Sequence, residues 1–243
     1  MESHSAEEDR AAFAERVYAD SAALMDALAE HVIAALAEAL ASRGTASLVV
    51  AGGRTPIPLF ERLSRATLDW ARVQITLTDE RVVPVSDPAS NERLVREHLL
   101  RGEAAAACFI GLMHEAVDDR ARATAAWRAL AAVPRPFDVV VPGMGEDGHF
   151  ASLFPGAPAL AAALDVHAAP ACVAMPAPVA PHARLSLNLA ALLDARLVLL
   201  PIIGATKARV FRRASAPGAV DAPPIAALLG QRTVRVVVYR SDV

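Results

Sequence analysis

Apolar and polar positions alternate along this chain in two different periods, and the two periods take turns. Residues 6–43 are rich in Ala, Leu and Glu with helical spacing of the apolar positions, and Arg43-Gly44 supplies a stop, so one long helix is predicted there. Ser47–Ala51 is a short apolar strand that runs into Gly52-Gly53. Pro56 sits where a helix can begin, with Leu59, Phe60 and Leu63 as its buried face. Val73–Thr78 alternates as a second strand and ends at Asp79-Glu80-Arg81, and a helix from about Asn91 to Leu100 follows a loop.

The second half repeats the scheme. An amphipathic helix over 115–132 precedes a buried strand at Phe137–Val141, and Leu197–Ile203 is a strand that stops at Gly204 before a helix over 205–213. A helix near 223–229 and a strand at Val234–Tyr239 close the chain. Residues 160–183, rich in Ala and Pro, give no clear period. Strands alternating with helices predict an α/β fold: a doubly wound, mostly parallel, Rossmann-like sheet flanked by helices. With no repeat, linker or shift in composition, the 243 residues are expected to form a single domain.

Composition narrows the function. At 54% hydrophobic the chain is not a disordered one. No apolar run approaches the length of a membrane span, and the acidic, polar start is unlike a secretory or transit signal, so a cytoplasmic protein without a membrane partner is expected. A net charge of -3 gives no support for a nucleic-acid partner. Cys108 and Cys172 have no metal-ligating neighbours, and no His-x-x-x-His pair occurs, so no metal site is expected. Among 24 Lys and Arg residues only Lys207 is lysine; a general bias toward arginine accounts for most of that pattern, yet a lone lysine just after Gly204 raises the question whether a compact ammonium is needed there.

Four segments carry candidate chemistry. Ala51-Gly-Gly-Arg-Thr-Pro56 lies between a strand and a helix, where Gly52 and Gly53 let amides turn toward an anion and Arg54 and Thr55 add donors; an ordinary tight turn is the alternative. Asp79-Glu-Arg81, at a strand end, offers carboxylates for acid–base work or sugar hydroxyls, against the alternative of a surface ion pair; Ser90 and Asn91 can cap the helix that follows. In Gly143-Met-Gly145-Glu-Asp147-Gly148-His149, three glycines surround a carboxylate two residues from an imidazole, a setting in which the acid fixes the tautomer and leaves the other ring nitrogen as a base. Arg184, in Arg-Leu-Ser186, and Lys207 could clamp a phosphate, or simply be solvated.

In this order, Gly-Gly-Arg-Thr-Pro, Asp-Glu-Arg-Val-Val-Pro with Ser-Asn, Gly-Met-Gly-Glu-Asp-Gly-His-Phe-Ala-Ser-Leu-Phe-Pro-Gly, Arg-Leu-Ser and Gly-Ala-Thr-Lys resemble the 6-phosphogluconolactonase family of the glucosamine-6-phosphate deaminase-like superfamily, from about residue 48 to about residue 210. The resemblance implies the deaminase-like form of the α/β fold, hydrolysis of 6-phospho-D-glucono-1,5-lactone, no cofactor, and a phosphosugar lactone as the small-molecule partner of a monomer or homodimer. It implies that Gly52, Gly53, Arg54 and Thr55 face the phosphate with Arg184 and Lys207, that His149 is the base, and that Asp79, Arg81 and Asp147 surround the ring. Arg54 stands where the family often has Ser, and Ser186 where it often has Thr. The deaminase branch resembles Asp-Gly-His-Ile-Ala-Phe-Asn-Glu-Pro-Gly, whose Glu position is Phe154 here, a residue expected neither to transfer a proton nor to orient His149. A phosphosugar-binding regulator without turnover is a further alternative. Gly-x-Ser-x-Gly is absent, which argues against a covalent intermediate.

Overall fold

A computed structural model describes residues 13–176, 181–216 and 221–243. The sequence expectations for residues 6–12 and for part of 160–183 therefore lie outside the described residues. Elements in chain order are β1 (Phe13–Val17), α1 (Ser21–Arg43), β2 (Ala46–Val50), α2 (Ile57–Leu63), β3 (Val73–Leu77), β4 (Asp79–Arg81), α3 (Asn91–His98), β5 (Cys108–Phe109) and α4 (Asp119–Ala129). They continue with β6 (Val139–Val141), α5 (Leu160–Ala163), β7 (Cys172–Met175), β8 (Arg184–Leu187), α6 (Leu189–Leu193), β9 (Leu197–Ile203), α7 (Ala205–Ala214), α8 (Ile225–Gly230) and β10 (Arg235–Ser241).

Seven strands form one sheet in the order β1-β10-β9-β6-β2-β3-β5, and every neighbouring pair is parallel. The chain leaves β2 outward through β3 and β5, then returns to the other side of β2 and moves outward through β6, β9 and β10. The order reverses between β2 and β6, and such a reversal opens a crevice at the carboxyl ends of the two strands. All residues of β2 and β6 are buried, as strands covered on both faces require. Opposite faces are covered by different helices. Tyr239 reaches His31 of α1, whereas Phe13, of opposite parity to the Arg16 that pairs with Tyr239, sits edge-on to Phe211 of α7 with ring centroids 5.5 Å apart. No helix among the described residues is long and apolar enough to cross a membrane.

Two expectations are corrected. The helix expected over 6–43 starts only at Ser21, where Asp20 accepts from the Ala23 amide at 2.8 Å; it ends as expected at Gly44, in the left-handed region. Phe13–Val17, although built of helix-favouring Ala, Glu and Arg, is a strand, because β10 offers an open parallel edge. There the Glu15 carboxylate meets Arg240 at 2.5 Å and Tyr18 stacks on Tyr239. Tertiary pairing overrides local propensity at this edge.

The second correction concerns a small sheet that the sequence did not disclose. Asp79–Arg81 is not merely a strand end, and Arg184 and Ser186 are not at turns. Strands β4, β8 and β7 form a three-stranded antiparallel sheet, with Asp79 opposite Ser186 and Arg81 opposite Arg184, and α4 packs on β7 and β8. All four residues of β8 are buried, but four residues are too short a run for periodicity to register.

Candidate active site

The crevice predicted by strand order is lined by the loops that leave β2 and β6. The Ala51 amide donates to the Val141 carbonyl at 3.1 Å, which binds the ends of the two strands together. Beyond it, the amides of Gly52, Gly53, Arg54 and Thr55 donate to no protein acceptor among the described residues. Gly52 is required by close approach, since a Cβ there would lie 1.9 Å from Asn91 Oδ1. Lys207, in the first turn of α7, reaches the loop from across the cleft and donates to Thr55 Oγ1 at 3.4 Å. Burial lowers its pKa, and the nearby Glu146 carboxylate opposes that shift. Free amides, a hydroxyl and a half-buried ammonium make a receptor for a small anion.

The loop after β6 folds back on itself. The Gly148 amide donates to the Gly145 carbonyl at 3.1 Å, and the Gly145 amide to the His149 carbonyl at 2.9 Å. Gly148 has φ of 79° and a Cβ there would fall 2.5 Å from Pro223 Cβ, so both conformation and space demand glycine. The turn brings Asp147 Oδ1 to 2.6 Å from His149 Nδ1 and 3.1 Å from its amide nitrogen. With Nδ1–H donated to the carboxylate, Nε2 is the free lone pair. Phe154, expected to be unable to orient His149, lies against its ring with centroids 4.4 Å apart, so an aromatic contact adds to the Asp147 hydrogen bond in placing the imidazole.

The small sheet supplies the remaining wall. Asp79 is 8% exposed and accepts from Thr78 Oγ1 at 2.8 Å and Ser152 Oγ at 2.6 Å. Arg81 Nη1 donates to the Ala89 carbonyl. Arg184 is buried, its Nε and Nη1 have no hydrogen-bond partner among the described residues, and its guanidinium carbon lies 6.0 Å from the Phe154 ring centroid. Burial and then the Arg81 charge lower its pKa, against Asp79 and Glu80.

Gly52, Gly53, Thr55, Asp79, Arg81, Gly143, Gly145, His149 and Lys207 all border one cleft of about 230 Å³. Four sequence candidates do not border it. Arg54 faces a neighbouring depression beside Pro58 and Arg62, Asp147 stands behind His149, Gly148 is buried in the turn, and Arg184 lies next to Arg81 in the small sheet.

The sequence offered Glu80 only as one of two strand-end carboxylates and Asn91 only as a helix cap, and gave Ser152 no role of its own. Glu80 is fully buried and is no surface ion pair. Its carboxylate accepts from the amides of Arg81, Asn91 and Glu92, each at 2.7 Å, and from Ser90 Oγ at 3.1 Å. Burial pushes its pKa up while the amides pull it down, and the result caps α3 and holds Asn91 against Gly52. Ser90 is the side-chain N-cap of α3, as its position in the sequence suggested.

A Rossmann-ordered sheet with free amides, a lone ammonium and a carboxylate–imidazole pair at its switch point defines a protein that handles small anionic molecules. A family model described as glucosamine-6-phosphate isomerases/6-phosphogluconolactonase matches residues 19–238. A 6-phosphogluconolactonase of Pseudomonas aeruginosa is 45% identical over 88% of this chain and 90% of its own, and one of Rhizobium meliloti is 43% identical over 92% and 96%. The crystal structure of a 6-phosphogluconolactonase from Shewanella baltica superposes with a TM-score of 0.89, at 44% identity over 94% of this chain and 97% of that one. A monomeric glucosamine-6-phosphate deaminase shares the fold, with a TM-score of 0.76 at 18% identity. The chain belongs to the glucosamine-6-phosphate isomerase/6-phosphogluconolactonase family.

Proposed function

We infer that this chain hydrolyses 6-phospho-D-glucono-1,5-lactone to 6-phosphogluconate, the second step of the oxidative pentose phosphate pathway. Similarity to the lactonases supports the reaction. The observation that carries the mechanism is the imidazole of His149, bound at Nδ1 by Asp147 and bordering the same cleft as Lys207 and the free amides. Nε2 takes a proton from a water as the water attacks C1 of the lactone. The negative charge that develops on the carbonyl oxygen is met by Arg81, and Asp147 stabilises the imidazolium. The imidazolium then returns its proton to the ring oxygen as the C1–O bond breaks. Gly52, Gly53, Thr55 and Lys207, which border the cleft together, hold the phosphate. Binding energy collected at the phosphate orients the distant ester.

The test is loss of freshly made lactone with and without protein, beside His149→Ala. Acceleration that disappears in the variant supports the enzyme and its base. A folded wild type that binds 6-phosphogluconate without accelerating hydrolysis is a phosphosugar-binding regulator.

The lowered pKa of Lys207 makes binding pH-dependent. Lysine is charged below its pKa, so affinity for 6-phosphogluconate is fullest below that value and falls as pH rises through it, earlier than for an ordinary lysine near ~10.4. Lys207→Arg keeps its charge and is expected to flatten that loss, measured by calorimetry across an alkaline titration. Parallel losses in both proteins would remove Lys207 from the phosphate site.

A further inference from the structure

Ser152 lies three residues beyond His149 and is 1% exposed, yet its hydroxyl leaves its own loop. Oγ donates to Asp79 Oδ2 at 2.6 Å, across to the small sheet, while Thr78 Oγ1 donates to Oδ1 of the same carboxylate at 2.8 Å. The Ser152 amide donates to Ser186 Oγ at 3.2 Å, and that hydroxyl donates to the Leu187 carbonyl at 3.0 Å. Ala151, immediately before, holds φ at 48°, in the left-handed region that non-glycine residues seldom enter. It is also one of the residues bordering the cleft.

Asp79 has no cation within salt-bridge distance among the described residues, although it is nearly buried. A buried carboxylate served only by two hydroxyls is a poor stabilising device. Both hydroxyls donate, so both oxygens act as acceptors, and each keeps a lone pair for a further donor. At the wall of a cleft that donor is a sugar hydroxyl.

We propose that Ser152 is a positioning residue for the hydrolysis: it fixes the Asp79 carboxylate to the segment that carries His149, so that the acceptor for the sugar ring and the base for the water keep one spacing. The proposal rests on the lactonase reading. Without the Ser152 hydroxyl, Asp79 stays in β4 but loses its tie to the His149 loop, and a misplacement of about 1 Å at a reacting centre costs on the order of a hundredfold in rate.

The experiment compares wild type, Ser152→Ala, Ser152→Cys, Asp79→Asn and the Ser152→Ala/Asp79→Asn double variant on fresh lactone, with 6-phosphogluconate affinity measured beside them. Ser152→Ala is expected to lower kcat by roughly ten- to a hundredfold while product affinity, held by the phosphate, changes less than about threefold. Ser152→Cys, close in size but a weak donor, is expected to match it and carries the test if the alanine variant unfolds. In the Asp79→Asn background the same change is expected to add less than about twofold, because residues acting through one contact do not multiply. Full kcat in folded Ser152→Ala and Ser152→Cys, or effects that multiply in the double variant, would overturn the proposal and leave the lactonase reading standing. A wild type that fails to accelerate hydrolysis would overturn both.

Discussion

Replacing His149 with alanine is expected to reduce the enzyme-catalysed rate of lactone hydrolysis by about 10²–10⁴, the usual contribution of a positioned general acid–base group. The variant removes both proton transfers at once, from the attacking water and to the departing ring oxygen. Affinity for 6-phosphogluconate is expected to stay close to wild type, because the Gly52–Thr55 loop and Lys207 do not touch the imidazole through any hydrogen bond. Asp147→Asn is expected to fall between the two: the amide still reaches Nδ1, which is 2.6 Å from the present carboxylate, but no longer carries charge to stabilise an imidazolium. The spontaneous rate must be subtracted in each case. A His149→Ala protein that retains more than a third of the catalysed rate would place the base elsewhere.

The second large effect is expected from the smallest possible substitution. Gly52→Ala puts a methyl group 1.9 Å from Asn91 Oδ1 and 2.1 Å from its Cγ. Asn91 cannot retreat freely: its amide is bound by Glu80, and its Nδ2 donates to the Asp79 carbonyl at 2.8 Å. The loop must therefore move, and with it the amides that face the anion. Overpacking of this kind costs about 1–3 kcal/mol of stability. A displaced anchor lowers kcat/KM by on the order of a hundredfold. Kinetics at several lactone concentrations, with thermal unfolding as a control, measure both, and kcat/KM within threefold of wild type would show that the loop does not hold the substrate.

Most of the large sheet was legible in the sequence because its central strands are continuous apolar runs bounded by glycine, and the helices between them keep their spacing. The turn that sets Asp147 against His149 was legible for a different reason: three glycines around one acid and one imidazole mark a tight loop at a strand end. What escaped was whatever depends on partners far along the chain. Phe13–Val17 reads as helix until β10 is present to pair with it. Arg184–Leu187 has no period of its own and becomes a strand by pairing with Asp79–Arg81 and Cys172–Met175. The capping contacts of Glu80 and the bond from Ser152 to Asp79 were not legible, because a buried carboxylate and a buried hydroxyl acquire meaning only from donors and acceptors that the fold delivers, for Ser152 and Asp79 across 73 positions. The contact of Phe154 with His149 was not legible either, because an aromatic ring reaches an imidazole through the fold of the loop and not through a residue type that hydrogen-bonds.

The pairing of β1 with β10 has a consequence for biosynthesis. Arg16 and Tyr239 are 223 positions apart, so the first-made strand of the pair waits for a partner made 223 residues later. At about 5–20 residues per second that interval is on the order of ten to forty seconds. Throughout it the outermost strand has no partner while the inner strands gain theirs one by one, so the growing chain carries an unpaired leader beside a sheet that is still assembling. Protease added to stalled ribosomes is expected to clip residues 13–17 from every chain halted before residue 235 and to spare them once residue 241 has cleared the exit tunnel. Protection in the shorter chains would mean that the leader finds a temporary berth elsewhere.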